Sequence, residues 1–378
     1  MSDNITFDIL VEILKRLPTK SLIKFRTVSK TWKSLIDGAD FIAHYTGQQV
    51  HLLLSCGDSD YDSDDSDFDS DDSVQKYISI VDDNTFPQQK VSLTIPRLVR
   101  LLQNPYIVGC SNGLLCLYGD HLEGDDGPFS GTGRVVLWNL SIRKAVAVDV
   151  RNVANHRRGT VLGFGVCRAT IDPKIVKITR INGWADIEVF TLSTGAWRRL
   201  CSNLPRKSIR IENCELGVAV NGLLYWLAMD ADSAEYDNLI ISYDMTSEEF
   251  REINLPHSIE FPYINKLRES LVVLEQDDPV IIVWMMEDGV TKSFTKLFAV
   301  NVYIPHPVFT KVVGFRKTGE PIIYIEEYNY GVGNGIAERL VVYEPYTKRI
   351  NTLGISERMS LGYVHSYMES LLLLDQPS

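Results

Sequence analysis

The chain has 378 residues, of which 45% are hydrophobic and 23% are charged, a composition typical of an ordinary soluble globular protein. It contains no apolar run long enough to span a bilayer and no secretory signal pattern, so we expect a cytoplasmic or nuclear protein without a membrane partner. Nine negative charges of the net −11 lie in residues 58–73, which leaves −2 for the rest. Without a clustered basic stripe, direct nucleic-acid binding is disfavoured.

The N-terminal forty-odd residues have a helical pattern. From residue 7 to residue 17 the apolar side chains recur at i, i+3, i+4 and i+7, which places them on one face of an α-helix. Pro18 should end this helix and begin another, Ser29 can cap a third, and Gly38 supplies a further break. The sequence therefore predicts three or four short helices.

A segment this small buries little surface by itself, so we expect its apolar side chains to form a small core and a patch offered to another protein. The run EILKRLPTKSLIKFRTVSKTWKSLI is similar to the F-box of plant F-box proteins. This resemblance implies binding to a Skp1-like adaptor and, through it, to a cullin. The matching residues are Leu10, Ile13, Leu14, Leu17, Pro18, Leu22, Phe25, Val28, Ser29, Trp32, Leu35 and Ile36. One departure is Ile5-Thr6, where the family has Leu-Pro; it removes one expected adaptor contact.

An acidic insertion at residues 57–74 separates two strand-like runs, residues 50–55 and 77–81. It is too charged to fold alone, so we expect a disordered loop. Its spacing of Asp58, Asp60 and Asp62 is like the start of a calcium-binding loop, but the glycine of that motif is missing. A second alternative is phosphorylation at serines with Asp three residues further on, namely Ser55, Ser59 and Ser66.

Short strands that meet at turn-forming pairs recur about every fifty residues from residue 106 onward, a spacing typical of kelch-like β-propellers. Two of the turns are Asn112-Gly113 and Asn221-Gly222, which favour type I′ turns with positive φ at both central residues. The pattern predicts an all-β propeller of about six four-stranded blades, closed by a C-terminal hairpin and an N-terminal hairpin. A seventh blade remains an alternative if residues 90–101 add strands.

The stretches SNGLLCL, GFGV, IEVFTLSTGAWR, VNGLLYW and YDMTSEEFREINLP resemble, in this order, the F-box-associated interaction region of plant F-box proteins, the class that includes the S-locus F-box-like family. The resemblance implies two domains. Residues 1–46 would be the all-α F-box that binds the adaptor, and residues 47–378 the propeller that binds an unidentified protein substrate.

Candidate substrate-binding residues are aromatic and charged side chains in the long loops: Phe129, Arg134, Tyr236, Asp237, Tyr328 and Tyr330. We expect core packing for the tryptophans in or beside strands, namely Trp138, Trp184, Trp197, Trp226 and Trp284.

Catalytic signatures and metal-ligand spacings are missing from the sequence, so no catalytic residue, metal or cofactor is predicted. The resemblance implies a non-catalytic substrate receptor of a ubiquitin ligase. Two alternatives stay open. One is an enzyme with its site at one end of a kelch-like propeller, and the other is an interaction module that works without the adaptor.

Overall fold

A computed structural model describes residues 6–58, 75–121, 133–150, 160–181, 184–201, 203–211, 216–233, 237–277, 280–287, 289, 292–301, 307–329, 335–354 and 359–373. The predicted loop character of the acidic insertion falls almost entirely on residues 59–74, outside this range. Ser55 is described and is buried in a strand, which argues against it as a phosphorylation site.

Four short helices open the chain, as predicted: α1 Phe7–Lys15, α2 Thr19–Phe25, α3 Lys30–Ile36 and α4 Ala39–His44. Their ends follow the expected signals. Pro18 stands at the N-cap of α2 and Gly38 at the N-cap of α4. The Ser29 side chain accepts a hydrogen bond from the Trp32 backbone N–H at 3.1 Å, which caps α3. A further short helix, α5, spans Arg97–Arg100.

The described residues otherwise form strands, whose bounds are β1 Val50–Asp58, β2 Lys76–Val81, β3 Lys90–Ser92, β4 Leu102–Ser111, β5 Leu114–His121, β6 Gly133–Asn139, β7 Ala145–Val150, β8 Thr160–Val166, β9 Pro173–Ile181, β10 Trp184–Thr191, β11 Ala196–Arg199, β12 Ile209–Ile211, β13 Val218–Val220, β14 Leu223–Asp230, β15 Asn238–Asp244, β16 Phe250–Asn254, β17 Pro262–Leu267, β18 Ser270–Asp277, β19 Val280–Met286, β20 Phe294–Asn301, β21 Pro307–Phe315, β22 Pro321–Asn329, β23 Gly335–Glu344, β24 Arg349–Thr352 and β25 Met359–Met368.

These strands pair antiparallel in six sheets, the blades of a six-bladed β-propeller, which confirms the predicted fold class. Four sheets follow chain order: β4 to β7, β8 to β11, β17 to β20 and β21 to β24. A fifth has the order β12-β14-β15-β16, with β13 also paired to β14. The sixth has the order β25-β1-β2-β3 and therefore joins distant parts of the sequence.

The sixth sheet differs from the expectation of two complete hairpins, since it takes one strand from the C-terminal part and three from the N-terminal part. The predicted C-terminal hairpin turn at Glu369-Ser370 is wrong, because Ser370 is buried and bonded to Asn139 instead of turning a strand back. Residues 90–92 are β3 of this sheet, so among the described residues they start no seventh blade.

The two Asn-Gly turns adopt the predicted conformation. Asn112 and Gly113 have φ of 48° and 73°, and Asn221 and Gly222 have φ of 50° and 81°. Gly113 is also required for space, because a Cβ atom there would lie 2.6 Å from the Met368 carbonyl oxygen.

The chain divides into two compact units. The first comprises residues 1–50, 95–254 and 367–378, and thus holds α1 to α4 with the three sheets from β4 to β16. The second comprises residues 51–94 and 255–366. None of the described helices is long and apolar enough to cross a bilayer.

In the first unit the helical segment, residues 6–45, shares one apolar cluster with the β4–β7 and β8–β11 sheets. Leu14, Leu22 and Ile36 each have 1% exposure or less and belong to this cluster, as do the three leucines at residues 371–373. The small helical segment therefore completes its core against the chain's own sheets and C-terminal residues.

The tryptophans differ in their burial. Trp138 and Trp226 are buried as predicted, with 0% and 1% exposure, while Trp197 and Trp284 are half-buried. Core packing is wrong for Trp184, which is 55% exposed. It is the first residue of β10, and at the end of a strand no adjacent layer has to cover the side chain.

In the second unit, His365 of β25 has a buried Nε2 atom with no hydrogen-bond partner in the part of the chain that the structure describes. Burial lowers the pKa of its imidazole from 6.5 to about 4. Between these values the unfolded chain binds a proton that the folded chain does not, so the stabilisation is fully present above pH 6.5 and is lost as the pH falls to about 4.

Replacing His365 by Gln should remove this dependence. We expect the free energy of unfolding of the parent protein, relative to the variant, to fall by about 3 kcal/mol between neutral pH and pH 4, at about 1.4 kcal/mol per pKa unit. Urea denaturation at several pH values measures it. His44→Gln, at an exposed position in α4, is the control. Parallel pH profiles for the parent and the His365 variant would contradict the prediction.

Candidate functional site

The helical segment presents only part of the predicted adaptor-binding set to solvent. Ile13 and Val28 are 44% and 65% exposed, and Pro18 is also exposed. Half-buried members are Leu10, Leu17, Phe25, Trp32 and Leu35. The buried members are Leu14, Leu22 and Ile36. Sequence analysis missed Ile9, which is 51% exposed one turn before Ile13 on α1.

Contacts within the helical segment fix this surface. The Arg26 guanidinium donates two hydrogen bonds to the Asp37 carboxylate, with nitrogen–oxygen distances of 2.5 and 2.8 Å, and thereby joins the ends of α2 and α3. The rings of Phe25 and Trp32 meet edge to face, with centroids 5.0 Å apart. A bidentate ion pair and an aromatic contact hold α2 and α3 in one relative orientation.

The Tyr45 side chain, at the end of α4, connects that helix to the link between α1 and α2 and to the start of α2. Its hydroxyl donates to the Leu17 carbonyl at 2.7 Å and accepts from the Thr19 hydroxyl at 3.2 Å. Burial raises the pKa of Tyr45, and the negative charge of Glu369 raises it further against the opposing effect of the Thr19 hydrogen bond. The phenol therefore stays protonated and able to donate.

Residues 369–373, here called the C-terminal strap, connect the helical segment to the β4–β7 sheet within the first unit. The Glu369 carboxylate accepts from the Thr19 backbone N–H at 3.2 Å, and the Glu369 carbonyl accepts from the Gly47 N–H at 2.8 Å. On the sheet side, the fully buried Asn139 amide donates to the carbonyls of Ser370 and Leu372, at 3.1 and 2.8 Å. One short strap thus bonds to the start of α2, to Gly47 after α4 and to the last residue of β6.

The predicted substrate-binding residues are not brought together by the contacts of the described part of the chain. Phe129, Tyr236 and Tyr330 lie outside the described residues, as does the side chain of Tyr328. Arg134 in β6 donates to Asp149 of β7 at 2.8 Å. The exposed Asp237 accepts from the Ser233 hydroxyl at 2.8 Å. The substrate-binding role of these six residues remains a prediction.

A surface that the sequence analysis missed lies in the first unit, at the end of the β9–β10 hairpin. We call it the Trp184 patch; it consists of Arg180, Trp184, Lys207 and Arg210. The Lys207 ammonium lies 3.6 Å from the centre of the exposed Trp184 ring. The sequence signal for this patch was the run RKSIR at residues 206–210, which is rich in Lys and Arg.

Backbone carbonyls position the two arginines of the patch. Arg180 donates to the carbonyls of Ile209 and Lys207, at 2.7 and 3.1 Å. Arg210 donates to the Lys207 and Ser208 carbonyls, at 2.9 and 3.1 Å. Hydrogen bonds to neutral carbonyls fix a guanidinium without cancelling its charge.

A neutralised ion-pair group borders the Trp184 patch. Arg206 donates to the Glu252 carboxylate at 2.8 Å and also bonds to Asp230. A hydrogen bond from the Ser208 side chain, with further help from the Arg206 charge, lowers the pKa of Asp230. The Glu252 and Asp230 carboxylates are therefore held by Arg206.

A group of opposite character lies in the second unit, on the β22–β23 hairpin. Glu326 and Glu338 stand directly opposite each other, and the Tyr324 hydroxyl donates to Glu326 at 2.9 Å. Burial raises the pKa of Glu338, and the Glu326 charge raises it further, although a hydrogen bond from Tyr324 opposes the shift. Like charges facing each other across strands are unfavourable, so this pair holds a proton more readily than a lone glutamate.

Comparison with known proteins agrees with this architecture. Residues 3–44 match the family model of the F-box domain, and residues 75–372 match that of the F-box associated beta propeller domain. The chain belongs to the family of proteins with an F-box associated beta propeller domain, preceded here by an F-box.

Three similar proteins come from Arabidopsis thaliana. A putative F-box protein is 24% identical and covers 85% of this chain and 79% of its own length. F-box protein CPR1 is 23% identical and covers 98% of this chain and 89% of its own. An F-box/kelch-repeat protein is 26% identical and covers 67% of this chain and 66% of its own. The domain pair and these relatives support a substrate-receptor role in general.

Proposed function

We propose that the protein is a non-catalytic substrate receptor of a Skp1-cullin-F-box ubiquitin ligase. Its F-box would bind a Skp1-like adaptor, and its propeller would bind a protein target and bring it close to the ubiquitin-charged enzyme. The physical contribution is a raised effective concentration of the target, without bond-making by this chain. This role would place the protein in the cytoplasm or the nucleus.

The observation that carries the adaptor-binding proposal is the exposure of aliphatic side chains on a segment matched by the F-box model. Ile9 and Ile13 stand one helical turn apart on α1, and both are close to half exposed. Aliphatic side chains left uncovered on a small, well-anchored helical unit are typical of a protein–protein interface.

The test replaces Ile9 and Ile13 together by Lys. We expect co-purification with a Skp1-like adaptor to fall about tenfold or more, since two charges would be placed in an apolar contact. The matched control is Val91→Lys with Ile350→Lys, two aliphatic residues of similar exposure, 56% and 42%, on the outer strands β3 and β24.

Unchanged co-purification of the Ile9 and Ile13 variant, or an equal loss in the control, would overturn the docking assignment. Circular dichroism and thermal unfolding of both variants establish that the fold is kept. The buried F-box leucines are unsuitable for this test, because a charge at Leu14 would disrupt the shared apolar cluster and change folding and binding together.

A further inference from the structure

The Trp184 patch combines features that the F-box and the propeller scaffold do not need. It lies on the surface of the first unit and contains an exposed indole with the Lys207 ammonium over its ring. The guanidinium groups of Arg180 and Arg210 bond to the backbone of the segment that carries Lys207. The described contacts of Lys207 and Arg210 include no carboxylate: the Lys207 ammonium lies over the indole and the Arg210 guanidinium bonds to backbone carbonyls. Two positive charges therefore remain available to an outside anion.

We propose that the Trp184 patch binds an acidic peptide segment of the protein substrate, one that carries carboxylate or phosphate side chains next to an apolar or aromatic residue. This inference rests on the proposed receptor function and assigns a substrate chemistry to it.

Preorganisation is the first argument for a binding role. Arg180 and Arg210 are held by carbonyl oxygens of the same short segment, residues 207–209, so little side-chain freedom remains to be lost when an anion binds. The described hydrogen bonds of Arg210 all use one guanidinium nitrogen, so the Arg210 side chain can donate other N–H groups to a carboxylate or a phosphate as charge-assisted hydrogen bonds.

The second argument is the position of Trp184. Lys207 covers part of the ring, yet the side chain remains 55% exposed. Tryptophan and arginine are both enriched among the side chains that dominate binding energies. An indole that is already ordered by a cation adds contact area for an apolar peptide residue at low entropic cost.

The charge balance favours a peptide over a nucleic acid. The whole chain carries a net charge of −11, and the part outside residues 58–73 carries −2. The three cations of the patch can neutralise only a few phosphates, whereas a nucleic-acid site needs a longer basic stripe. A local positive cluster on a nearly neutral body suits a short acidic segment, which it can also attract at a distance.

The test measures fluorescence anisotropy of a labelled synthetic peptide, Asp-Asp-Tyr-Ser-Asp-Asp-Tyr-Ser-Asp-Asp, with the full-length protein. A second peptide has Asn at every Asp position, and a third carries phosphoserine. We expect the Asp and phosphoserine peptides to bind, the Asn peptide to bind about tenfold more weakly or worse, and the affinity to fall with added salt.

Three variants locate the site. Lys207→Glu with Arg210→Gln should weaken Asp-peptide binding about tenfold or more, and Trp184→Ala severalfold. The matched control is Arg168→Glu. Arg168 is an exposed cation in the turn between β8 and β9, at the opposite end of the same sheet from the Trp184 patch. Its reversal should leave peptide affinity unchanged.

Several results would overturn the inference. They are equal binding of the Asp and Asn peptides, an equal loss in the Arg168 control, full binding after the patch is altered, or tighter binding of a single-stranded oligonucleotide that the patch variants abolish. Adaptor co-purification is measured on the same variants. Adaptor binding should stay intact in all three variants. Loss of peptide binding with retained adaptor binding therefore supports the Trp184 patch as the peptide site. Failure of the unaltered protein to bind the adaptor would instead contradict the proposed receptor function.

Discussion

Asp82→Ala should cost the second unit about 3 to 5 kcal/mol of unfolding free energy, the range for breaking a buried ion pair by removing one partner. The Asp82 side chain has no exposed surface. Its carboxylate accepts from the Arg316 guanidinium at 2.8 and 2.9 Å and from the Lys317 backbone N–H at 2.6 Å. The substitution leaves the Arg316 charge and the Lys317 N–H without this acceptor in a poorly hydrated site.

This interaction connects the turn after β2 with the turn after β21 inside the second unit, so it joins the sixth sheet to the β21–β24 sheet. The Arg316 guanidinium also lies 4.2 Å from the centre of the Phe86 ring, which holds it in place.

Urea denaturation of Asp82→Ala, of Arg316→Met and of the double variant measures the coupling free energy between Asp82 and Arg316. We expect the double variant to be more stable than Asp82→Ala alone, because the uncompensated charge is gone. Glu249→Ala, which breaks the exposed pair with Arg251, should cost less than about 1 kcal/mol. A cost for Asp82→Ala as small as that of the exposed pair would contradict the prediction.

Asn139→Asp should release the C-terminal strap and expose the helical segment. The two N–H groups of the Asn139 amide face three acceptors of the strap, the Ser370 carbonyl and hydroxyl and the Leu372 carbonyl, so one N–H is shared between two of them. Asp has the same shape but no donor when ionised, and it places a charge beside buried carbonyls. We expect a loss of about 3 kcal/mol or more, as a buried charge and several acceptors are left without partners.

Hydrogen exchange distinguishes this local effect from general destabilisation. Amides of α2 and α4, and the Gly47 N–H that donates to the strap, should exchange faster in the variant. The control is Ser141→Ala. Ser141 contacts Asn139 through its backbone N–H, which the substitution keeps, so hydrogen exchange should change little. Unchanged protection of the helices in Asn139→Asp would show that the strap does not hold them.

Local signals explain what the sequence predicted well. The Asn-Gly turns follow from backbone sterics at two residues, and the helix boundaries at Pro18, Ser29 and Gly38 follow from dihedral restriction and capping. The number of blades followed from the regular recurrence of hairpin turns along the sequence, because each blade is one supersecondary unit.

The errors have non-local causes. Glu369-Ser370 looks like the preceding hairpin turns, but its conformation is decided by Asn139, more than two hundred residues away. Apolar periodicity found the faces of the F-box helices, yet it could not separate Leu14, which faces the sheets, from Ile13, which faces solvent. Trp184 was misassigned because a strand pattern does not reveal whether its first residue is covered.

The C-terminal strap also imposes an order on biosynthesis. Leu371, Leu372 and Leu373 are synthesised after all of the described helices and strands, α1 to β25, yet they complete the apolar cluster that contains Leu14 and Leu22 of the F-box. While the chain is still emerging from the ribosome, the F-box helices lack both this cover and the Glu369 contact to Thr19. The helical segment therefore gains this support only when translation has passed residue 373, so a chain truncated before the strap has an F-box without its support.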